Sequence, residues 1–192
     1  MLDSQITRML LADRATLDDA ERERSWKVLY ELILQAARRE RGRWEGDWTL
    51  ETRALANEVV LKVFGRDHAP SFADRRHFYR TLALAARQVL VNRSEHRGAA
   101  KRGGGKEDRT LSPELVGAGR QVDGLTVIDL HRALSRFEDV DPRAAEVVEL
   151  RFFLGLDAEE AATVLGISKA TADRDWAAAR AWLRRELAAS DG

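Results

Sequence analysis

The stretch Glu160-Ala161-Ala162-Thr163-Val164-Leu165-Gly166-Ile167-Ser168-Lys169-Ala170-Thr171-Ala172 has the form of a helix-turn-helix. Geometry explains its residue types. A small residue, Ala162, stands where the first helix must let the second approach, and Gly166, four residues later, supplies a left-handed turn that side chains bearing a Cβ avoid. Ile167 plugs the core and Ser168 caps the second helix. Ala172 and Trp176 then face inward, which leaves Lys169, Ala170, Thr171, Asp173 and Arg174 on exposed first turns of the kind that enter a major groove. An ordinary αα-hairpin with a glycine turn has the same pattern, so both readings stand at this point.

Around this motif the pattern is helical throughout. Thr126–Phe137, Pro142 to about Phe153, Asp157–Leu165 and Ser168 to about Ala188 are predicted helices, with Pro142 suited to a first helical position. Leu130, Leu134 and Phe137 form one apolar stripe, Ala145, Val148 and Phe152 a second, and Ala172, Trp176, Ala179, Leu183 and Leu187 a third. Four short helices with such stripes close a small bundle.

Upstream, seven of the thirteen glycines and Pro113 fall within 98–124, a composition that predicts a flexible linker. Before it, a short helix would carry Ile6, Met9 and Leu10 on one face. A longer helix spans about Asp18 to Arg43, with Leu29, Leu32, Ile33 and Ala36 inward. A third runs from Thr49 to Phe64 and stops at Gly65 in the left-handed conformation usual after a helix. A fourth spans about Arg76 to Arg97, burying Phe78, Leu82, Ala85, Val89 and Leu90 and turning its arginines outward. No strand pattern is found. The expected fold is all-α: two small helical domains, 1–97 and 126–192, joined by a glycine-rich linker over 98–125, with the helix-turn-helix in the second.

Composition narrows the class of protein. The 192 residues hold 32 Lys+Arg against 32 Asp+Glu and no cysteine, which excludes a disulfide framework and thiolate metal sites. Neither a signal-peptide core nor a membrane span is recognisable, so a soluble, cytoplasmic protein without membrane insertion is expected. The zero net charge is unevenly spread. Residues 126–192 carry an excess of four acids, whereas 73–106 sets nine basic residues against Asp74 and Glu95, a balance of +7. A block this basic suggests phosphate contact, and a solvated helix face would produce it equally well. Catalysis has little support. His68, His77, His96 and His131 lack metal-ligand spacing, and Gly103-Gly104-Gly105-Lys106 is followed by Glu107 where a phosphate loop needs Ser or Thr. Neither cofactor nor metal is expected. The five tryptophans, Trp26, Trp44, Trp48, Trp176 and Trp182, have the helical spacing of core or interface residues.

Longer runs carry a family resemblance. Asp141-Pro142-Arg143, Val147-Val148-Glu149-Leu150-Arg151-Phe152-Phe153-Leu154-Gly155-Leu156, Gly166-Ile167-Ser168 and Arg174-Asp175-Trp176 followed by Ala179-Arg180-Ala181-Trp182-Leu183-Arg184 are similar to region 4 of extracytoplasmic-function (ECF) sigma factors of the sigma-70 family. Ala56-Asn57-Glu58-Val59-Val60-Leu61-Lys62-Val63 resembles the region 2 helix that binds RNA polymerase. His77-Phe78, Ala85-Ala86-Arg87 and Val89-Leu90-Val91-Asn92-Arg93, with Ala99 to Gly105 after them, resemble the −10-reading helix and linker of one ECF subgroup. The chain departs from such relatives at Asp173, where Lys or Arg is frequent, and at Asn92-Arg93-Ser94-Glu95, where an Asp-His pair is common.

The resemblance implies a bacterial sigma factor for transcription initiation, not an enzyme. Its implied partners are core RNA polymerase and promoter DNA, with room for an anti-sigma factor or other inhibitor. The −35 duplex would be read by Ser168, Lys169, Ala170, Thr171, Asp173 and Arg174. Melted −10 bases would meet the 65–97 segment, where a basic groove with aromatic side chains suits single strands. The candidates there are Phe72, Arg75, Arg76, Tyr79, Arg80, Arg87, Asn92, Arg93 and His96; Phe72 and Tyr79 are the open aromatics, Phe78 belongs to the core, and most arginines would meet phosphates. Polymerase would be met by Asn57, Glu58, Leu61 and Lys62. The alternative is a free-standing helix-turn-helix regulator that binds duplex DNA without polymerase.

Overall fold

The computed structural model describes residues 49–65, 72–101 and 127–189, together with Ala20, Lys27, Tyr30, Glu31, Ile33 and Leu34. The described residues are built from helices, with no strand among them: α1 (Thr49–Phe64), α2 (Arg75–Lys101), α3 (Val127–Val140), α4 (Pro142–Val148) continued by a π turn (Glu149–Phe153), α5 (Ala158–Leu165) and α6 (Lys169–Ala189). The all-α expectation holds. The helix expected around Ile6, Met9 and Leu10 lies outside the described residues, as does the linker beyond Lys101 with its Gly103–Lys106 run. Of the expected Asp18–Arg43 helix, the six described positions are helical, and Ile33 and Leu34 are buried.

Local chemistry sets the helix ends. Asp74 accepts the His77 N–H at 2.7 Å and caps α2, which runs on through Gly98 to Lys101, four residues further than its apolar periodicity predicted. Asp141 caps α4 by accepting the Ala144 N–H at 3.0 Å, with Pro142 following as the first helical residue. Gly65 does end α1, but it does not adopt the left-handed conformation expected there, since among the described residues Gly155 and Gly166 are the glycines with positive φ. Its requirement is for space: its N–H donates to the Leu61 carbonyl at 2.8 Å, and an added Cβ would lie 2.3 Å from that same oxygen.

The expected helix from Pro142 to Phe153 is interrupted by the π turn. Widening the helix by one residue changes which side chains face inward. Glu149, Leu150, Phe152 and Phe153 are all buried, four out of five consecutive residues, more than the single stripe of a surface α-helix can bury. The turn can do this because α2 covers its outer side.

Helices from both sides of the glycine-rich stretch therefore share one buried apolar cluster, which extends from Ile33 to Leu187. The long helix α2 lies at its middle. It packs against α1 on one side and against α3, α5 and the π turn on the other. Phe78, Leu82 and Ala83 of α2 are fully buried, as are Leu134, Val147 and Val148 of the C-terminal helices.

Candidate nucleic-acid interface

The helix-turn-helix forms as its sequence requires. Asp157 accepts the N–H groups of Glu159 and Glu160, both at 2.8 Å, while the Glu160 carboxylate accepts the Asp157 N–H at 2.8 Å, a reciprocal capping box at the start of α5. At its end Gly166 takes φ +67° and ψ 31°, and the Ile167 N–H donates to the Ala162 carbonyl at 3.0 Å. A Cβ on Gly166 would touch nothing within 4 Å, so the constraint is backbone conformation alone. Ser168 caps α6, its Oγ accepting the Thr171 N–H at 3.1 Å. Ala162 and Ala172 are buried and Ile167 packs on the core.

On the face left open, Ser168, Lys169, Ala170 and Arg174 are exposed, and Thr171 and Asp173 are half-buried. The charged groups are engaged with their own helix. Lys169 Nζ donates to Asp173 Oδ2 at 2.7 Å, which raises the pKa of the lysine and lowers that of the aspartate, in each case chiefly through this hydrogen bond. Arg174 folds back, Nε donating to the Ala170 carbonyl and Nη2 to Thr171 Oγ1, both at 3.2 Å. Asp173 thus holds Lys169 in place, with Arg151 as a second cation at 3.8 Å, and the Arg151 guanidinium lies over the Trp176 ring at 4.3 Å. Behind this surface Arg143 grips the buried Asp175 through two hydrogen bonds of 2.7 and 3.0 Å, fixing the start of α4 to α6. The core reading of Trp176 and Trp182 holds, the latter lying 5.0 Å from the Phe137 ring centroid; Trp26, Trp44 and Trp48 lie outside the described residues.

The second candidate surface, on α2, departs from expectation. Tyr79, expected to be open, is 4% exposed, and its ring packs edge-on to Phe78 with the Arg75 guanidinium 5.4 Å from its centroid. Phe72 is half-buried, its ring edge-on to Phe64, His77 and Phe78. Arg87, expected to face outward, is 3% exposed. For Tyr79 and Arg87 the physical reason is the same, since α2 is buried along two sides and one apolar stripe does not describe it; Phe72, in the loop before α2, is covered by its packing against Phe64 and Phe78. Asn92 and His96 are exposed, and Arg93 pairs with Glu58 of α1 at 2.6 Å.

Sequence reasoning missed the acidic partners of these arginines. Arg76 donates from Nε and Nη2 to the two carboxylate oxygens of Glu146 at 2.8 and 3.0 Å, and Arg80 reaches the same group at 3.2 Å. Arg87 donates from Nε to His131 Nδ1 (2.9 Å), from Nη1 to Glu138 (2.5 Å) and Glu149 (2.8 Å), and from Nη2 to the His131 carbonyl (2.8 Å) and Ser135 Oγ (2.7 Å). Burial pushes the Glu149 carboxyl up to about 7, with Arg87 opposing and Glu138 adding to the rise. His131 is lowered by burial and by the Arg87 charge. The available signal was Glu149 itself, an acid set among Val147, Val148, Leu150, Phe152 and Phe153.

On α1 the four candidates lie as expected. Asn57, Glu58, Leu61 and Lys62 are exposed, Leu61 at 65%, while Ala56 and Val59 are buried on the opposite face. Asn57 Oδ1 accepts the Tyr30 hydroxyl at 3.0 Å.

The capped, glycine-turned helix pair α5–α6 exposes Lys169, Ala170 and Arg174 on its outer face, a geometry compatible with a helix-turn-helix. The ECF sigma factor family model matches residues 3–189, and the chain belongs to that family. Comparison with curated proteins gave no match, and comparison with solved structures gave none either. Members of this family direct transcription and are regulators rather than enzymes. Among the described residues, no helix is long and apolar enough to cross a membrane.

Proposed function

We propose that this chain is a promoter-specificity subunit that joins core RNA polymerase and brings it to a defined set of promoters. The observation that carries the reading is the family match over 3–189, which embraces both halves of the chain. The first turns of α6 read the −35 duplex, with Arg174 as the contact to a guanine or phosphate and Asp173 shaping preference beside it. The loop before α2 and the exposed face of α2 receive the melted −10 strand, Arg76, Arg80 and Arg93 meeting phosphates and Asn92 and His96 reaching base edges. Leu61, an apolar side chain among Asn57, Glu58 and Lys62, anchors polymerase. An anti-sigma factor or other inhibitor is a further partner of this assembly, and the cytoplasm is its place of action. Transcription in vitro with core polymerase tests the assignment: initiation from a promoter that core alone ignores supports it. A specific footprint on duplex DNA by the chain alone, with no effect on polymerase, would replace it with a free-standing regulator.

A further inference from the structure

The carboxylates facing α2 are buried at a cost, and the cations that offset it come from α2. Glu146 and Glu149 are 6% and 2% exposed, and an acid so far removed from water is strongly unfavourable unless it is paired. Their guanidinium partners, Arg76, Arg80 and Arg87, all come from α2, more than 60 residues away in sequence. Arg87 is the more telling. A guanidinium has five N–H donors, and here five hydrogen bonds leave it, every one to a group between His131 and Glu149. Arginine grips a carboxylate and a phosphate with the same planar fork.

We propose that the free chain latches itself closed, Glu146, Glu138 and Glu149 occupying the α2 arginines in place of the phosphates of a single DNA strand, so that the latch must open before the two halves can reach two promoter elements. The latch itself stands on the contacts between helices; only its comparison with DNA rests on the function proposed above. In the closed form Arg87 is buried and Arg76 is held at both oxygens of Glu146, so strand binding and closure compete for the same side chains.

The test uses the full chain. Small-angle scattering should give a radius of gyration of about 16 Å for the closed wild type. Glu146→Lys, which places a third cation beside Arg76 and Arg80, should expand the particle while leaving far-UV circular dichroism unchanged. The isosteric Glu146→Gln should expand it less, and the exchange Arg76→Glu with Glu146→Arg should restore compaction. A thymidine-rich single strand, titrated without polymerase, should bind Glu146→Lys about tenfold more tightly than wild type, because phosphate contacts are set free. An extended wild type, or compact Glu146→Lys and Glu146→Gln chains with wild-type strand affinity, would overturn the latch. Expansion reversed by the charge exchange but without a gain in strand affinity would support the latch and count instead against α2 as the strand-binding helix.

Discussion

Replacing Glu149 by glutamine should stabilise the protein at alkaline pH and do nothing at acid pH. The Glu149 carboxyl rises from 4.5 to about 7 on folding because burial disfavours its charge more than Arg87 favours it, and because Glu138 shares the same Arg87 nitrogen. Between these two values the folded chain holds a proton at Glu149 that the unfolded chain has released. Stability therefore falls as pH rises through this window, is fully penalised above about 7 and is unpenalised below about 4.5. The shift corresponds to about 3 kcal/mol. Glutamine keeps a carbonyl oxygen for the Arg87 Nη1 donor and removes the charge, so Glu149→Gln should be more stable than wild type by roughly that amount near pH 8, and about equal near pH 4.5. With a urea slope of about 2 kcal/mol per molar, the unfolding midpoints should separate by about 1.5 M at the alkaline end. The groups facing Glu149 are Arg87 from α2 and Glu138 from α3, with His131 of α3 on the other side of Arg87. His131 acts with the opposite sign, its lowered pKa making stability rise with pH below about 6.5, but it is present in both proteins and cancels in the difference. Urea unfolding of both chains across this range decides the matter. A midpoint difference that does not change with pH, or a variant weaker than wild type at pH 8, would refute the reasoning.

Four further outcomes are expected. Leu61→Arg should leave helicity intact, since the side chain is 65% exposed, and should abolish co-purification with core polymerase; undiminished binding would remove α1 from that interface. Arg174→Ala should lower transcription from a −35-dependent promoter by an amount equivalent to about 1–3 kcal/mol, and Asp173→Lys, which also breaks the Lys169 hydrogen bond, should raise non-specific duplex binding and blur −35 preference, both measured on a library of −35 variants. Gly166→Ala should cost about 1–2 kcal/mol in thermal or urea unfolding because its φ is +67°, with no compensating contact for the new methyl group.

What the sequence disclosed and what it concealed divide by range of interaction. Gly166, Ser168 and Ala162 were legible because a left-handed turn, a cap and a close helix approach each select residue types within one turn of the chain. The four C-terminal helices were legible for a similar reason, since their apolar stripes and Pro142 act locally. Gly65 was placed correctly at a helix end for the wrong reason, as lack of space and a left-handed turn select the same residue. The π turn was hidden because a shift from α to π pairing has no propensity signature. Tyr79 and Arg87 were misplaced because a single stripe was read on a helix packed along two sides. Glu146 was hidden entirely, since its partner Arg76 lies 70 residues earlier.

These long-range pairings also alter what the charge distribution means. The +7 block around α2 suggested phosphate contact, yet in the folded chain three of its nine cations, Arg76, Arg80 and Arg87, are paired with acids of the 126–192 segment. The same arrangement recurs on a smaller scale elsewhere, with Arg93 on Glu58 and Lys169 on Asp173. Non-specific DNA affinity grows with the number of phosphates a protein can neutralise, so a chain whose cations are already engaged gains little from DNA until something displaces their internal partners. A promoter engaged together with polymerase can supply that displacement by binding several sites at once, whereas a random stretch of DNA meeting one helix cannot. Pairing of Arg76, Arg80 and Arg87 within the chain should therefore lower its non-specific affinity for nucleic acid for as long as those pairs stay closed.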